Sequence, residues 1–417
     1  MGDREPQPAL GDPSGGATVK QVVVKLTAQS PIAVGEWMTS RSNVRESLAY
    51  IPGGVLRGAL AQAVREHLGG HASSRRALGN DDPALKQAFD ACFGKDGARF
   101  GFLMPFGTLE WIPAPATALF NKQRDEYLYD TLFALLRGED YPMECPNTGD
   151  RLERGRGWLE HKGDQWRKAK MPQPRAFVRV GLNRQLETAE TNILYTLEAI
   201  DPTDADGNPV EFRGVVSFPD AASESAFRTI LDALRWRDGR VQVRIGSART
   251  RGFGAVALET VNAPAPAPQV DLEAFAQRAG RPIFTLLART PVLVHDACGM
   301  PAPTLTPDLL REYLPDLPDS VQLLPEATRA ERMLVSGWSG AWGMPKPVQQ
   351  AFAPGSVFTY RYAESDRAAL QSWLQQLALY GIGERIAEGY GQFAVCSRYH
   401  LDTDITQFTQ SNAGGAQ

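Results

Sequence analysis

From residue 20 onward the chain alternates apolar and polar positions. Val22, Val24 and Leu26 fall on one side of the segment, and that period of two predicts a strand over 20–28. The pattern then changes. After Tyr50-Ile-Pro-Gly-Gly54, apolar residues recur at Val55, Leu56, Ala59, Leu60, Ala63, Val64 and Leu68. That spacing predicts an amphipathic helix, ended by Gly69-Gly70. A short helix is expected over 84–93, and strands over 175–181, 193–200 and 210–218. Phe227, Ile230, Leu231 and Leu234 mark one side of a helix over 221–236, with a strand over 240–245 after it. The second half reads as a strand (283–290), a variable middle, a strand (356–362), a helix (366–380) and a strand (392–396).

Two loops in this pattern carry the same punctuation. Gly246-Ser-Ala-Arg-Thr-Arg-Gly-Phe-Gly254 and Gly383-Glu-Arg-Ile-Ala-Glu-Gly-Tyr-Gly391 both close on glycine, an aromatic residue and glycine. Each precedes the last strand of its half. The starts of the halves also match, through Ala28 and Ala288, Ser30 and Thr290, Pro31 and Pro291, and Val34 and Val294. A repeat of this kind predicts a duplicated unit. The order β-α-β-β-α-β makes each copy an α+β, ferredoxin-like (RRM-like) module. The expected division is a tail (1–18), a first module (19–262) with a large insertion at about 90–190, a Pro/Ala linker (263–280), a second module (281–402) and a tail (403–417). Alternating proline in Ala263-Pro-Ala-Pro-Ala-Pro-Gln269 makes the linker a semi-rigid spacer.

Composition narrows the classes. Hydrophobic residues make up 43% of the 417 and charged residues 22%, as in an ordinary soluble globular protein. The net charge of −4 excludes a polycation, though not a local basic face. Cys92, Cys145, Cys298 and Cys396 are too scattered for a disulfide framework, so a reducing cytoplasm is expected. The first 18 residues lack the basic start and apolar core of a signal peptide, and no apolar run approaches membrane-spanning length.

Three features point to a polyanion. The glycine loops let backbone approach a partner closely, and Arg249 and Arg251 add charge to the first, with Phe253 in the first loop or Tyr390 in the second offering a face for stacking. In the second loop Glu388 stands where the first has Arg251, so the copies are expected to differ in role. Pro52-Gly53-Gly54 feeds a helix whose start suits an anion, with Arg57 expected in its first turn and Gly58 open to another backbone. Residues 150–184 hold ten basic residues against four acidic ones, interleaved with Trp158, Trp166 and Phe177. That mixture suits single-stranded nucleic acid. Catalytic patterns are sparse. Cys145 has no C-x-x-C partner, so no metal is expected. His67 and Asp296 stand without a patterned second group, and of Trp338 and Trp342 at least one is expected in the core.

Ile51-Pro-Gly-Gly-Val-Leu-Arg-Gly-Ala-Leu-Ala61 resembles a motif of the CRISPR-associated RAMP superfamily, and Arg249-Thr-Arg-Gly-Phe-Gly254 is similar to its C-terminal glycine-rich loop. Asn183-Arg184 with Asn192-Ile-Leu-Tyr-Thr-Leu-Glu198 resembles a further stretch of these proteins. With Val335-Ser-Gly-Trp338, Gly343-Met-Pro-Lys-Pro347 and Ala353-Pro-Gly-Ser-Val-Phe358, the chain resembles the two-module Csx-type RAMP of type III-D effector complexes. The resemblance implies a non-catalytic, cofactor-free subunit of a type III CRISPR ribonucleoprotein in antiviral defence, holding the 5′ handle of the crRNA. Its implied partners are crRNA, the large polymerase-like subunit, backbone RAMP subunits and, indirectly, target RNA, with no membrane. The expected RNA-binding set is Arg57, Gly58, Arg175, Arg179, Arg184, Arg249, Arg251, Gly252, Phe253 and Gly254. Two alternatives stay open: a metal-independent, Cas6-like endoribonuclease with His67 as base, and a target-RNA-cleaving backbone subunit using Asp296. Paired cysteines that the family often carries near Cys145-Pro-Asn-Thr-Gly149 are reduced here to one, which leaves no zinc pair.

Overall fold

A computed structural model describes residues 20–407, apart from 36–43, 70–81, 126, 184–187 and 237. The first strand, β1 (Lys20–Ala28), pairs antiparallel with Glu211–Phe218 on one side and Ala255–Val261 on the other. Arg99–Phe100 and Val241–Arg244 add the two edges. The helices α1 (Gly53–His67), α2 (Pro83–Phe93) and Ala221–Leu234 share a core with this sheet. Val24 and Leu26 meet Leu56, Leu60, Phe227 and Ile230 there, which is why the strand alternates and the helices are amphipathic. Asp82 and Asp220 cap α2 and the Ala221–Leu234 helix by accepting from Leu85 N and Ser223 N.

A second sheet orders Gln322–Leu323, Val357–Arg361, Ile283–Ala288 and Phe393–Val395, all antiparallel. In both sheets the chain-order strands lie 2-3-1-4, with Val241–Arg244 as an extra edge on the first. Ile283–Ala288 is buried at every position, so it shows no alternation. Part of its cover is the stretch between residues 111 and 168. That stretch forms two three-stranded sheets and the helix Leu132–Arg137. Ile112, Phe120, Phe133 and Leu159 join the core of the second sheet, with Phe275, Phe284 and Leu374.

Each sheet also carries an antiparallel arm between its second and third strands. The first arm pairs Arg175–Asn183 with Thr188–Ala199, and Val44–Arg45 joins it in parallel. The second pairs Arg332–Val335 with Gln349–Phe352 and continues outward as Trp338–Ser339 and Met344–Pro345. Two boundaries differ from expectation. Inside the expected linker, Leu272–Ala279 is a helix capped by Asp271, with Leu272 and Phe275 buried. Residues 403–406 remain packed, because Asp404 is fully buried against Arg278 and Thr406. Residues 1–18 and 408–417 lie outside the described part. Among the described residues no helix is long and apolar enough to cross a membrane.

An unbroken chain of rings links the two halves. Arg385 covers Tyr390, Tyr390 meets Phe102 edge-on, and Phe102 stacks on Tyr50 at 5.5 Å. Tyr50 then meets Trp158, Trp158 meets Trp111, and Arg289 lies 4.2 Å over Trp111. Each such pair contributes roughly 0.5–1.5 kcal/mol beyond its buried area.

Candidate nucleic-acid interface

The two glycine loops have the same backbone. Gly246, Ala248, Gly252 and Gly254 have φ of 71°, 55°, 88° and 78°; Gly383, Arg385, Gly389 and Gly391 have 97°, 59°, 88° and 72°. Their hydrogen bonds also correspond. Ser247 N donates to Ala33 O, and Glu384 N to Leu293 O. Gly254 N donates to Pro31 O, and Gly391 N to Pro291 O. Ala255 N donates to Ser30 Oγ, and Gln392 N to Thr290 Oγ1. The matching prolines and hydroxyls of the sequence are therefore the anchors of the matching loops.

Their surroundings differ. In the first loop Arg249, Arg251 and Gly252 are exposed, and a Cβ on Gly252 would meet nothing within 4 Å. Phe253 is buried, edge-on to Phe177 of the first arm at 5.2 Å. Arg179 lies over Phe253 and Arg251 over Tyr195, whose hydroxyl it also reaches. Alternation along the arm puts Phe177, Arg179, Tyr195 and Leu197 on the face toward the loop, and Val178, Val180 and Leu194 outward. Arg175 is exposed at the arm's base, 3.7 Å from Asp201. Arg244 donates to Arg249 O, fixing the loop's basic turn. Among the described residues Arg179, Arg244, Arg249 and Arg251 meet no carboxylate, so their charge faces solvent.

Five expected residues, Arg175, Arg179, Arg249, Arg251 and Phe253, thus converge with Gly252 and Gly254. Phe253 acts as an internal anchor, not as an exposed stacking face. Arg244 and Tyr195 join the group without having been singled out from the sequence. Arg244 lies near the end of an alternating strand, so it carried no local signal. Arg184 lies outside the described residues.

The second loop is closed. Its Glu388 reaches the start of α1, where a Cβ on Gly54 would lie 2.7 Å from Oε2. A Cβ on Gly53 would lie 2.7 Å from the Glu388 carbonyl oxygen. Arg385 pairs with Glu388 at 2.8 Å, and Lys346 pairs with it from the second arm. Burial raises the Glu388 carboxyl, but Arg385 and Lys346 outweigh it and hold the group below its ordinary value. The anion expected at this helix start is therefore supplied from within the chain. Arg57 sits in the second turn of α1, and its Nη2 donates 2.5 Å to Phe93 O at the end of α2. Its guanidinium also lies over the Phe93 ring, so its contacts are with α2 and not with the basic loop. Gly58 is exposed, and a Cβ there would meet nothing within 4 Å.

The remaining candidates take structural places. Trp158 and Trp166 are half-buried; Trp166 donates to Asp402 and packs edge-on to Tyr399. Arg154 pairs with Glu331 and Lys168 with Asp125, each at 2.5 Å. His67 is exposed at the last residue of α1. Asp296 folds its own loop by accepting from Cys298 N and Met300 N. Cys145 is buried with its sulfur 3.2 Å from Tyr129 OH. Burial raises this thiol, but Thr148, Tyr129 and Asn121 together hold it below its ordinary value. Among the described residues no His, Cys, Asp and Glu side chains gather into a metal-binding group. Trp338 and Trp342 are both exposed, contrary to the expectation that one is core, because the second arm carries them beyond the sheet.

Among solved structures, this chain is similar to a subunit of the type III-B Cmr-beta complex bound to cognate target RNA. The two share 13% identity at a TM-score of 0.40, over 85% of this chain and 94% of that one. A chain of the apo Cmr-beta complex aligns at 13% identity and TM-score 0.32, over 58% and 97%. A Cas6 product complex aligns at 16% identity and TM-score 0.28, over 46% and 79%. No curated protein sequence matches the chain. The family profile described as the RAMP superfamily matches residues 25–257, from β1 through both first-half motifs to the strand after the first glycine loop. That match spans more than half of the 417 residues, and the chain belongs to the RAMP superfamily.

Proposed function

We propose that this chain is a non-catalytic crRNA-binding subunit of a type III CRISPR ribonucleoprotein, built from two tandem ferredoxin-like RAMP modules. The first module holds the 5′ handle of the guide, and the second packs against it. One observation carries this reading: two loops of the same backbone have opposite surroundings. The first is open and flanked by Arg179, Arg244, Arg249 and Arg251, while the second is filled by its own Glu388. Charge facing solvent on a preformed loop suits phosphate oxygens. The shared hydrogen bonds to Pro31 and Pro291, and the common 2-3-1-4 strand order, support the duplication.

The test is fluorescence anisotropy of the purified chain with a repeat-derived 5′-handle oligonucleotide, against an unrelated sequence of equal length. Tighter binding of the handle, lost in Arg249→Ala/Arg251→Ala, is the expected result. Equal affinity for both sequences removes the handle assignment, and no binding removes the RNA reading. Cleavage of a repeat RNA that disappears in His67→Ala would replace it with the enzymatic alternative.

A further inference from the structure

The second arm ends in a cluster of large exposed apolar side chains. Leu334 is 53% exposed, Trp338 51%, Trp342 72%, Met344 53% and Val348 54%. Between Arg332 and Phe352 the sequence has no acidic residue, and its only cations are Arg332 and Lys346. Both are already engaged. Arg332 donates to Ala302 O and lies over the Phe352 ring, and Lys346 pairs with Glu388. The arm therefore presents apolar surface with no charge to spare.

We propose that this outer face docks another protein subunit of the ribonucleoprotein, one that offers an apolar, weakly charged patch. The proposal rests on the RNA-binding reading above for the existence of such an assembly. The charge pattern selects the occupant. RNA gains its affinity largely through phosphate contacts, and the arm has no free cation to make them. An anionic membrane surface needs cations as well. Interface cores are depleted in charge and enriched in tryptophan and methionine, which matches this cluster. The base of the arm is also held in place. Arg385 Nη1 donates to Ser336 O at 3.2 Å, and Gln349 Nε2 to Glu384 Oε2 at 2.7 Å. A surface fixed in this way loses little freedom on docking. The two arms thus divide the work: the first presents Arg175 and Arg179, the second an uncharged apolar tip.

The experiment uses full-length chain carrying Trp342→Ser and Met344→Ser. Binding to the assembled remaining subunits and guide RNA is measured by interferometry, with melting temperature and free-chain RNA affinity alongside. The expected result is at least tenfold weaker docking, with unchanged melting and unchanged RNA affinity. Unchanged docking overturns the proposal. A parallel fall in RNA affinity puts nucleic acid on the arm and overturns it too. So does sedimentation showing wild-type self-association that the variant loses, since the face then meets a second copy. A chain that docks through the arm but fails to bind RNA keeps this proposal and removes the handle assignment, so the two failures are distinguishable.

Discussion

Replacing Gly389 by alanine is expected to cost far more than the same change at Gly252, although both glycines hold φ of 88°. At that angle an L side chain is strained by roughly 1–2 kcal/mol. For Gly252 this is the whole cost, because the new Cβ meets nothing within 4 Å. At Gly389 the same atom would stand 2.5 Å from the Phe100 carbonyl oxygen and 3.0 Å from Phe102 Cδ1. The Phe100 carbonyl belongs to a strand paired with Glu211–Phe218, so it cannot swing aside. Overpacking of this kind adds roughly 1–3 kcal/mol, which brings Gly389→Ala to roughly 2–5 kcal/mol. The assay is thermal unfolding followed by circular dichroism and calorimetry. If the 417 residues melt as one unit, the average unfolding entropy gives a shift of about 1 °C per kcal/mol. Gly389→Ala should then melt roughly 2–5 °C below wild type, and Gly252→Ala within roughly 2 °C of it. Affinity for handle RNA should follow the reverse order, since Gly252 shapes the open loop. Equal melting losses, or a larger one at Gly252, would refute the contrast between an open first loop and a packed second one.

Other expectations follow from the same geometry. Arg249→Ala/Arg251→Ala should weaken handle binding at least tenfold, from roughly 1.5–3 kcal/mol per charged hydrogen bond. It should also flatten the slope of log affinity against log salt by about 1.4, at roughly 0.7 per lost phosphate contact; a slope that stays put counts against these arginines. Arg57→Ala should destabilise the fold by roughly 1.5–3 kcal/mol through the lost charged hydrogen bond to Phe93 O. RNA affinity of the folded variant should change little, and a clear loss with unchanged melting would return Arg57 to the RNA site. Glu388 is depressed when folded, so its contribution is full above its unfolded pKa near 4.5 and lost as pH falls through the lower folded value. Glu388→Gln should therefore flatten the acid limb of melting temperature against pH, and an unchanged limb removes the pairing from the stability of the fold.

Much of the scaffold was legible because its core strands and helices keep strict periods. Val22, Val24 and Leu26, or Phe227, Ile230 and Leu231, give their elements away. The glycine loops were legible because positive φ selects glycine at Gly252 and Gly389. Ala248 and Arg385 hold positive φ without glycine, so that part of the likeness was hidden. The destination of residues 111–168 was hidden for another reason. Strands of three to five residues such as Trp111–Pro113 and Ala118–Asn121 are buried at every position and carry no period. The seat of Glu388 against the start of α1 was invisible because Gly54 lies in the other half of the chain. Trp338 and Trp342 were misplaced because composition alone does not tell an arm from a core.

The shared core also has a consequence for biosynthesis. Phe133 and Leu159 leave the ribosome well before Phe275 and Phe284, the residues they pack among. At roughly 5–20 residues per second, that gap lasts on the order of ten seconds. During that interval the first sheet can close, since its last strand ends at Val261. The 111–168 stretch cannot, and its apolar side chains stay uncovered until the later strands arrive. The nascent chain therefore holds a complete first sheet beside an uncovered 111–168 stretch, and a ribosome pause before Ile283 would prolong that interval.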